Sequence, residues 1–293
     1  MPARPSIVSR PHARAPTFQV VDLLVFKFTV TPAAIALATA VGRRWGPALG
    51  GWIAGIPFTS TPVILFVTLD HGTSFGSLTA SGVLAGTASQ AAFALAYSVV
   101  ALRVRWWGAL LAAVAAFAAT TVGLDKLQPP PVSGLEITAG AILLALALMP
   151  RSRPVELEAE ARLMPASLDV PLRAIVATVF VVVLTALAQH LGPVLAGLLS
   201  PFPLFGAVLI VFPYRLQGRA AALGACRGFL WGLFATMGFA FLLSELLPNL
   251  GLAGAMVIAL VVAFAIQAVT LAIVRSGARR AGAPATTASA TRE

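Results

Sequence analysis

Residues able to do chemistry are few in this sequence, and most of them lie inside long apolar runs. The run 47–69 contains Pro57-Phe-Thr59-Ser60-Thr61-Pro62, and the run 192–214 contains Pro201-Phe-Pro203. A proline inside a helix removes one backbone hydrogen bond and collides with the preceding turn. Two prolines with glycines beside them can divide a helix into halves. The second half then starts with free N–H groups and the positive end of a helix dipole, which suits an anion. Thr59, Ser60 and Thr61 add hydroxyls at that point of the first run. The second run has Phe205, Gly206 and Ala207 there, so a pocket between the two is chemically lopsided. The plainer reading is a pair of proline kinks sealed by hydroxyl-to-backbone hydrogen bonds.

Charge inside an apolar run is the second signal, because a charged group in hydrocarbon is costly and usually faces a cavity or a partner. Lys27 lies roughly 13 Å into the run 18–41 at about 1.5 Å per residue, and Arg227 lies inside the run 220–246. The competing reading for both is a long stem laid in lipid with its charge at the headgroups. Gln90, Gln189 and Gln267 suit hydrogen bonds between neighbouring helices. No carboxylate falls near the middle of a run, which argues against a proton relay. Cys226 is the only cysteine, so a disulfide framework is excluded. Phosphate-loop, zinc-ligand and nucleophile–base patterns are absent, so the sequence predicts no catalytic residue, no metal and no cofactor. The candidate solute-binding set is Lys27, Pro57, Thr59, Ser60, Thr61, Gln90, Pro203 and Arg227.

The elements that must position these residues follow from composition. The 293 residues are 59% hydrophobic and only 10% charged, with a mean hydropathy of +0.92, against about 25% charge in a soluble domain. A chain this poor in charge could not cover a water-facing surface. A run of about 20 apolar residues spans a bilayer as a helix. The net charge of +10 does not mark a nucleic-acid protein, since the arginines sit in short loops rather than on one basic face. The expected fold is all-α, a polytopic transmembrane helical bundle of about nine spans. They run over 18–41, 47–69, 76–100, 106–124, 133–149, 171–190, 192–214, 220–246 and 250–274. A tail (1–17) precedes the first membrane half, 18–149. A charged linker, 150–170, leads to the second half, 171–274, and residues 275–293 read as a disordered tail. Arginines of alternate loops gather on one side, Arg43, Arg44, Arg103, Arg105, Arg215 and Arg219 among them, together with Arg275 of the tail. By the positive-inside rule that side, and the C-terminus with it, is cytoplasmic, in an inner (cytoplasmic) membrane. Trp45, Trp106, Trp107, Tyr97 and Tyr214 fall at the same interface.

An internal repeat organises the runs. Shifted by 146 positions, residues 46–98 align with 192–244 without a gap and share 14 identities in 53 positions, where skewed composition alone gives roughly one in ten. The matches include Gly46-Pro47 with Gly192-Pro193, Pro57 with Pro203, Gly72 with Gly218, and Gly82 and Gly86 with Gly228 and Gly232. The same shift pairs Lys27 with Arg173. The offset contains an odd number of spans, so the halves would enter the membrane from opposite sides, as in inverted-repeat transporters.

The segment Ala196-Gly-Leu-Leu-Ser-Pro-Phe-Pro-Leu-Phe205 resembles the proline-containing segment of small bacterial GlpM-type membrane proteins, and Ala54-Gly-Ile-Pro-Phe-Thr-Ser resembles it less well. That likeness covers about a fifth of the chain and carries no functional residue with it. The duplicated layout resembles drug/metabolite transporters built of inverted halves, although the second half here is one span shorter. These features predict a secondary transporter or flippase for a small anionic or amphiphilic solute. The alternative is a scaffold or accessory subunit of an envelope process that moves nothing. The lipid bilayer is the expected partner in both cases.

Overall fold

The computed structural model describes residue 33 and residues 36–58, 60–150 and 204–282. Lys27, Thr59, Pro203, the linker 150–170 beyond Pro150 and the span 171–190 lie outside the described residues. Every regular element described is helical. A short α1 (36–45) precedes α2 (Pro47–Ala54), α3 (Ser60–His71), α4 (Thr73–Val100), α5 (Trp106–Leu127) and α6 (Pro131–Leu148). After the undescribed stretch come α7 (Leu204–Gln217) and α8 (Arg219–Gly282). Four of these, α4, α5, α6 and α8, are long and apolar enough to cross a membrane.

Helix α8 is too long for one crossing, since 64 residues would reach about 96 Å at 1.5 Å per residue. It turns back instead. Gly251 has φ 68° and ψ 179°, outside the helical region. A Cβ placed on Gly238 would lie 2.6 Å from Ile266 Cδ1, so residues on either side of Gly251 face one another. α8 is therefore a hairpin with arms 219–250 and 252–282. The second arm extends to Gly282, inside the stretch read from sequence as a tail.

Two pairs of helices share one design. α3 and α4 meet at Gly72 (φ 88°), and α7 and α8 meet at Gly218 (φ 87°). The left-handed region is open to glycine without a Cβ clash, so the chain can leave one helix and start the next within a residue. Gly72 begins α4 three residues before the expected boundary. Pro131 occupies the first position of α6, where its missing N–H costs nothing.

Helix α4 and the first arm of α8 form the centre and run antiparallel. Ser77 donates to the Ser244 carbonyl, 2.6 Å, near one end. Ala94 and Tyr97 share an apolar cluster with Cys226 and Phe229 near the other. Helices α5 and α6 lie outside α4. Thr121 Oγ1 donates to Ser89 Oγ, 2.9 Å, and Thr138 Oγ1 to the Leu84 carbonyl, 3.0 Å. Their outer faces are bare hydrocarbon: Leu111 is 64% exposed and Val261, on the second arm of α8, also 64%. Buried positions 255, 259, 263, 267, 270 and 274 form one stripe of that arm, while the rest of its circumference is exposed and apolar. Such surface is what lipid-facing helices present.

The glycines at 51, 55, 228 and 232 bring α2 into backbone contact with the first arm of α8. A Cβ on Gly51 would overlap the Ala225 carbonyl, one on Gly228 would overlap the Ala48 carbonyl, and one on Gly232 would sit 2.8 Å from Gly55 Cα. Backbone on both sides leaves nothing to yield. Gly228→Val is expected to destabilise the protein by about 3 kcal/mol or to prevent folding, read as lost monodispersity and a lowered melting temperature in detergent. Gly82→Val, at a position where a Cβ meets open space, should be tolerated.

Candidate functional site

The first proline-containing span is broken. α2 ends at Ala54 with Gly55 as its cap, α3 starts at Ser60, and Pro57 is buried in the joint. Contacts of Gly55 with Gly232 and Thr236 place the joint roughly midway along the 219–250 arm, hence at mid-depth in the bundle. The chain is locally re-tied: Ile56 N–H donates to the Ile53 carbonyl, 3.1 Å, and Phe58 N–H to the Ile56 carbonyl, 2.7 Å.

The carbonyls at the end of α2 are met by the α8 hairpin. Thr236 Oγ1, on the first arm, donates to the Gly55 carbonyl at 2.6 Å. Gln267 Nε2, on the second arm, donates to the Trp52 carbonyl at 3.1 Å. The Trp52 indole N–H donates to Thr270 Oγ1, 3.0 Å, and Thr270 Oγ1 donates in turn to the Gln267 carbonyl, 3.1 Å. Thr236, Gln267 and Thr270 are each no more than 5% exposed. The interrupted half-helix is thus gripped by both arms at one depth.

Thr61 turns both groups back on the joint, with N–H 3.0 Å and Oγ1 2.7 Å from the Pro57 carbonyl. Pro62 has no N–H at all. The start of α3 therefore offers an anion fewer donors than a regular helix start, and among the described residues Ser60, 3% exposed, is the hydroxyl that remains beside it. The structure brings Pro57, Ser60 and Thr61 together. Gln90 lies half-buried in the middle of α4, and Arg227 half-buried near the start of α8.

Trp52, Thr236, Gln267 and Thr270 were not in the sequence-derived set. Gln267 was read only as a helix-bridging amide, which it is; nothing in the sequence said that the helix end it bridges is a broken one. One signal was present for Thr236: the 146-residue shift superposes it on Gln90, the residue chosen in the other half.

The two ends of the bundle differ in charge. Helix directions carry Arg43, Arg44, Arg103, Arg105, Arg215 and Arg219 to one end, and Asp70, Asp125, Glu136 and Glu245 to the other. At the arginine end Arg215 lies over the Trp106 ring at 5.4 Å and Arg44 over Trp45 at 5.5 Å. A small opening of about 20 Å³ lies at this end between α1, α2 and α7, lined by Thr39, Arg43, Pro47, Pro213 and Gln217 among others. It holds about one water. Among the described residues no cluster of three or more metal-ligating side chains occurs.

Apolar outer faces around a helical bundle with satisfied backbone define the class: a helical protein of the membrane. No protein-family model, curated protein or solved structure shows a match to the chain, so nothing narrower than that class follows from similarity.

The grip on α2 can be measured. Thr236→Val, which keeps shape and removes the hydroxyl, should lower unfolding free energy by about 1 kcal/mol, read by SDS titration in mixed micelles. Ser98→Ala, whose hydroxyl bonds within its own helix, should cost less.

Proposed function

We propose that the protein is a secondary carrier of the inner membrane, moving a small anionic or amphiphilic solute by rocking two oppositely oriented halves about interrupted spans. The observation that carries this reading is the break at Pro57 at mid-depth, where a half-helix end is held by side chains of another helix as well as by its own last turn. Discontinuous helices at the midplane are the construction that inverted-repeat carriers use for their sites.

The inverted repeat is part of the same proposal, and several contacts support it. Under the shift of 146, the Ser77–Ser244 contact between α4 and α8 becomes Ser98–Leu223, the same antiparallel crossing seen from its other end. The Ser89–Thr121 contact between α4 and α5 becomes Ala235–Gln267, within one helical turn of the Gly238–Ile266 approach in the α8 hairpin. The paired turns at Gly72 and Gly218 obey the shift as well. A two-fold axis perpendicular to α4, near its middle, relates these contacts. The layout is the one for which drug/metabolite transporters are the resemblance.

One observation favours the second reading, a scaffold that transports nothing. Thr61, Thr236 and Gln267 already satisfy the carbonyls that the break releases, and a sealed kink needs no solute.

Flux separates the two. The purified chain, reconstituted in proteoliposomes, is to be assayed with labelled phosphate, acetate and succinate, and with a fluorescent phosphatidylglycerol scored by dithionite quenching. Transport of one of these, lowered several-fold in Pro57→Ala and Ser60→Ala at unchanged melting temperature, is the expected result. Wild-type flux in both folded variants removes the joint as the site, and no movement of any probe favours the scaffold. Orientation has its own measurement. On a Cys226→Ala background, Asp125→Cys should react with an impermeant maleimide in intact cells, and Arg103→Cys only after permeabilisation.

A further inference from the structure

We propose that the C-terminal end of α2 is a sodium site, formed by the Gly55 carbonyl, Thr236 Oγ1 and Gln267 Oε1. The inference deepens the carrier reading, on which it rests for its role as a coupling ion, but binding itself can be measured without transport.

The argument is a count of donors and acceptors in a dry place. The Trp52 indole N–H is used by Thr270, the Thr270 hydroxyl by the Gln267 carbonyl, and the Thr236 hydroxyl by the Gly55 carbonyl. One N–H of Gln267 is used by the Trp52 carbonyl. Among the described residues the buried Gln267 Oε1 has no hydrogen-bond partner, in a residue only 4% exposed. Exchanging the amide N and O does not help, because the oxygen would then face the Trp52 carbonyl, acceptor against acceptor. In either orientation one oxygen is left without a donor, at mid-depth where water is scarce. Sealing a kink explains the donors that reach α2 and leaves this oxygen unexplained.

A cation would give that oxygen a partner. The end of α2 is the negative end of a helix dipole, and unwound carbonyls beside a half-helix C-terminus are the groups that hold Na⁺ in discontinuous-helix carriers. Thr236 and Gln267 stand on facing arms at one depth, so their oxygens approach α2 from two sides. On binding, the Thr236 hydroxyl turns its hydrogen away from the Gly55 carbonyl and offers a lone pair. The ligands are all neutral oxygens, which suits a monovalent ion; Ca²⁺ sites draw on carboxylates. The described carboxylates lie at the far end of the bundle. Arg227, nine residues before Thr236, is roughly 13 Å away along the helix, too far to fill the place of a cation.

The test uses the purified full chain in detergent. Melting temperature is to be compared in equal concentrations of sodium chloride, potassium chloride and choline chloride, with equilibrium dialysis of radioactive sodium as a second measure. Sodium should raise the melting temperature by roughly 5 °C over choline near saturation, with potassium doing less. Gln267→Leu and Thr236→Val should each weaken sodium binding at least several-fold. Equal melting in all three salts with no bound sodium overturns the proposal, and so does wild-type sodium affinity in the variants. If Gln267→Leu does not fold, Thr236→Val decides alone. Flux without sodium binding sinks the ion site and spares the carrier, whereas sodium binding without flux does the reverse.

Discussion

In hydrocarbon a backbone carbonyl without a donor has no water to fall back on, and every part of this structure near Pro57 answers to that. A proline at mid-span takes away a donor, and the collision with its preceding turn opens the helix over several residues rather than one. The cost of leaving those carbonyls bare is several kcal/mol each. The chain meets it with three kinds of group: local turns at Ile56 and Phe58, a hydroxyl folded back from Thr61, and side chains from outside the span, Thr236 and Gln267. Only the third kind ties the break to another element. That makes the position of α2 conditional on the α8 hairpin.

Close approach is the condition for that tie. Threonine has one carbon between backbone and hydroxyl, so Thr236 reaches the Gly55 carbonyl only if the helix axes nearly touch. Gly55 against Gly232 supplies that approach, and Gly51 and Gly228 extend it along α2. Lipid offers little hydrophobic drive between helices, and small residues with polar links across them are what remain to hold two together. The two features therefore depend on one another: without the glycine notch the hydroxyl falls short, and without the polar link the notch is a weak contact.

Much of this was legible in the sequence, for physical reasons that can be named. A helix in lipid must be long and apolar, so the runs over 76–100 and 106–124 show themselves by length alone. Pro57 announced its break because proline acts on its own backbone, wherever the rest of the chain lies. Gly72 and Gly218 were visible as repeat matches, and their shared φ near 88° explains why both positions hold glycine. Partner choice was not legible. Nothing local to Thr236 or Gln267 marks them as caps for a helix end 181 and 215 residues upstream in the chain, since that fact exists only once α2 has docked. The direction of the Thr61 hydroxyl was hidden for a similar reason: an open pocket and a sealed kink call for the same residues, and the fold turns this hydroxyl to the Pro57 carbonyl.

An interrupted helix has two ends of opposite sign, and the joint treats them unequally. At the start of α3, donors have been withdrawn: Pro62 has none and Thr61 is turned to Pro57. At the end of α2, oxygens have been gathered, two from carbonyls and more from threonine and glutamine. A structure whose only concern was to seal a kink would balance donors against acceptors at both ends. Gathering acceptors at the negative end makes the field there steeper, and a low-dielectric interior amplifies it. On the proposed sodium site, the α2 side of the joint attracts positive charge, whereas the α3 side attracts negative charge only weakly. A solute crossing between the halves would meet that asymmetry first, and its charge would decide whether it travels alone or with a cation that compensates the field.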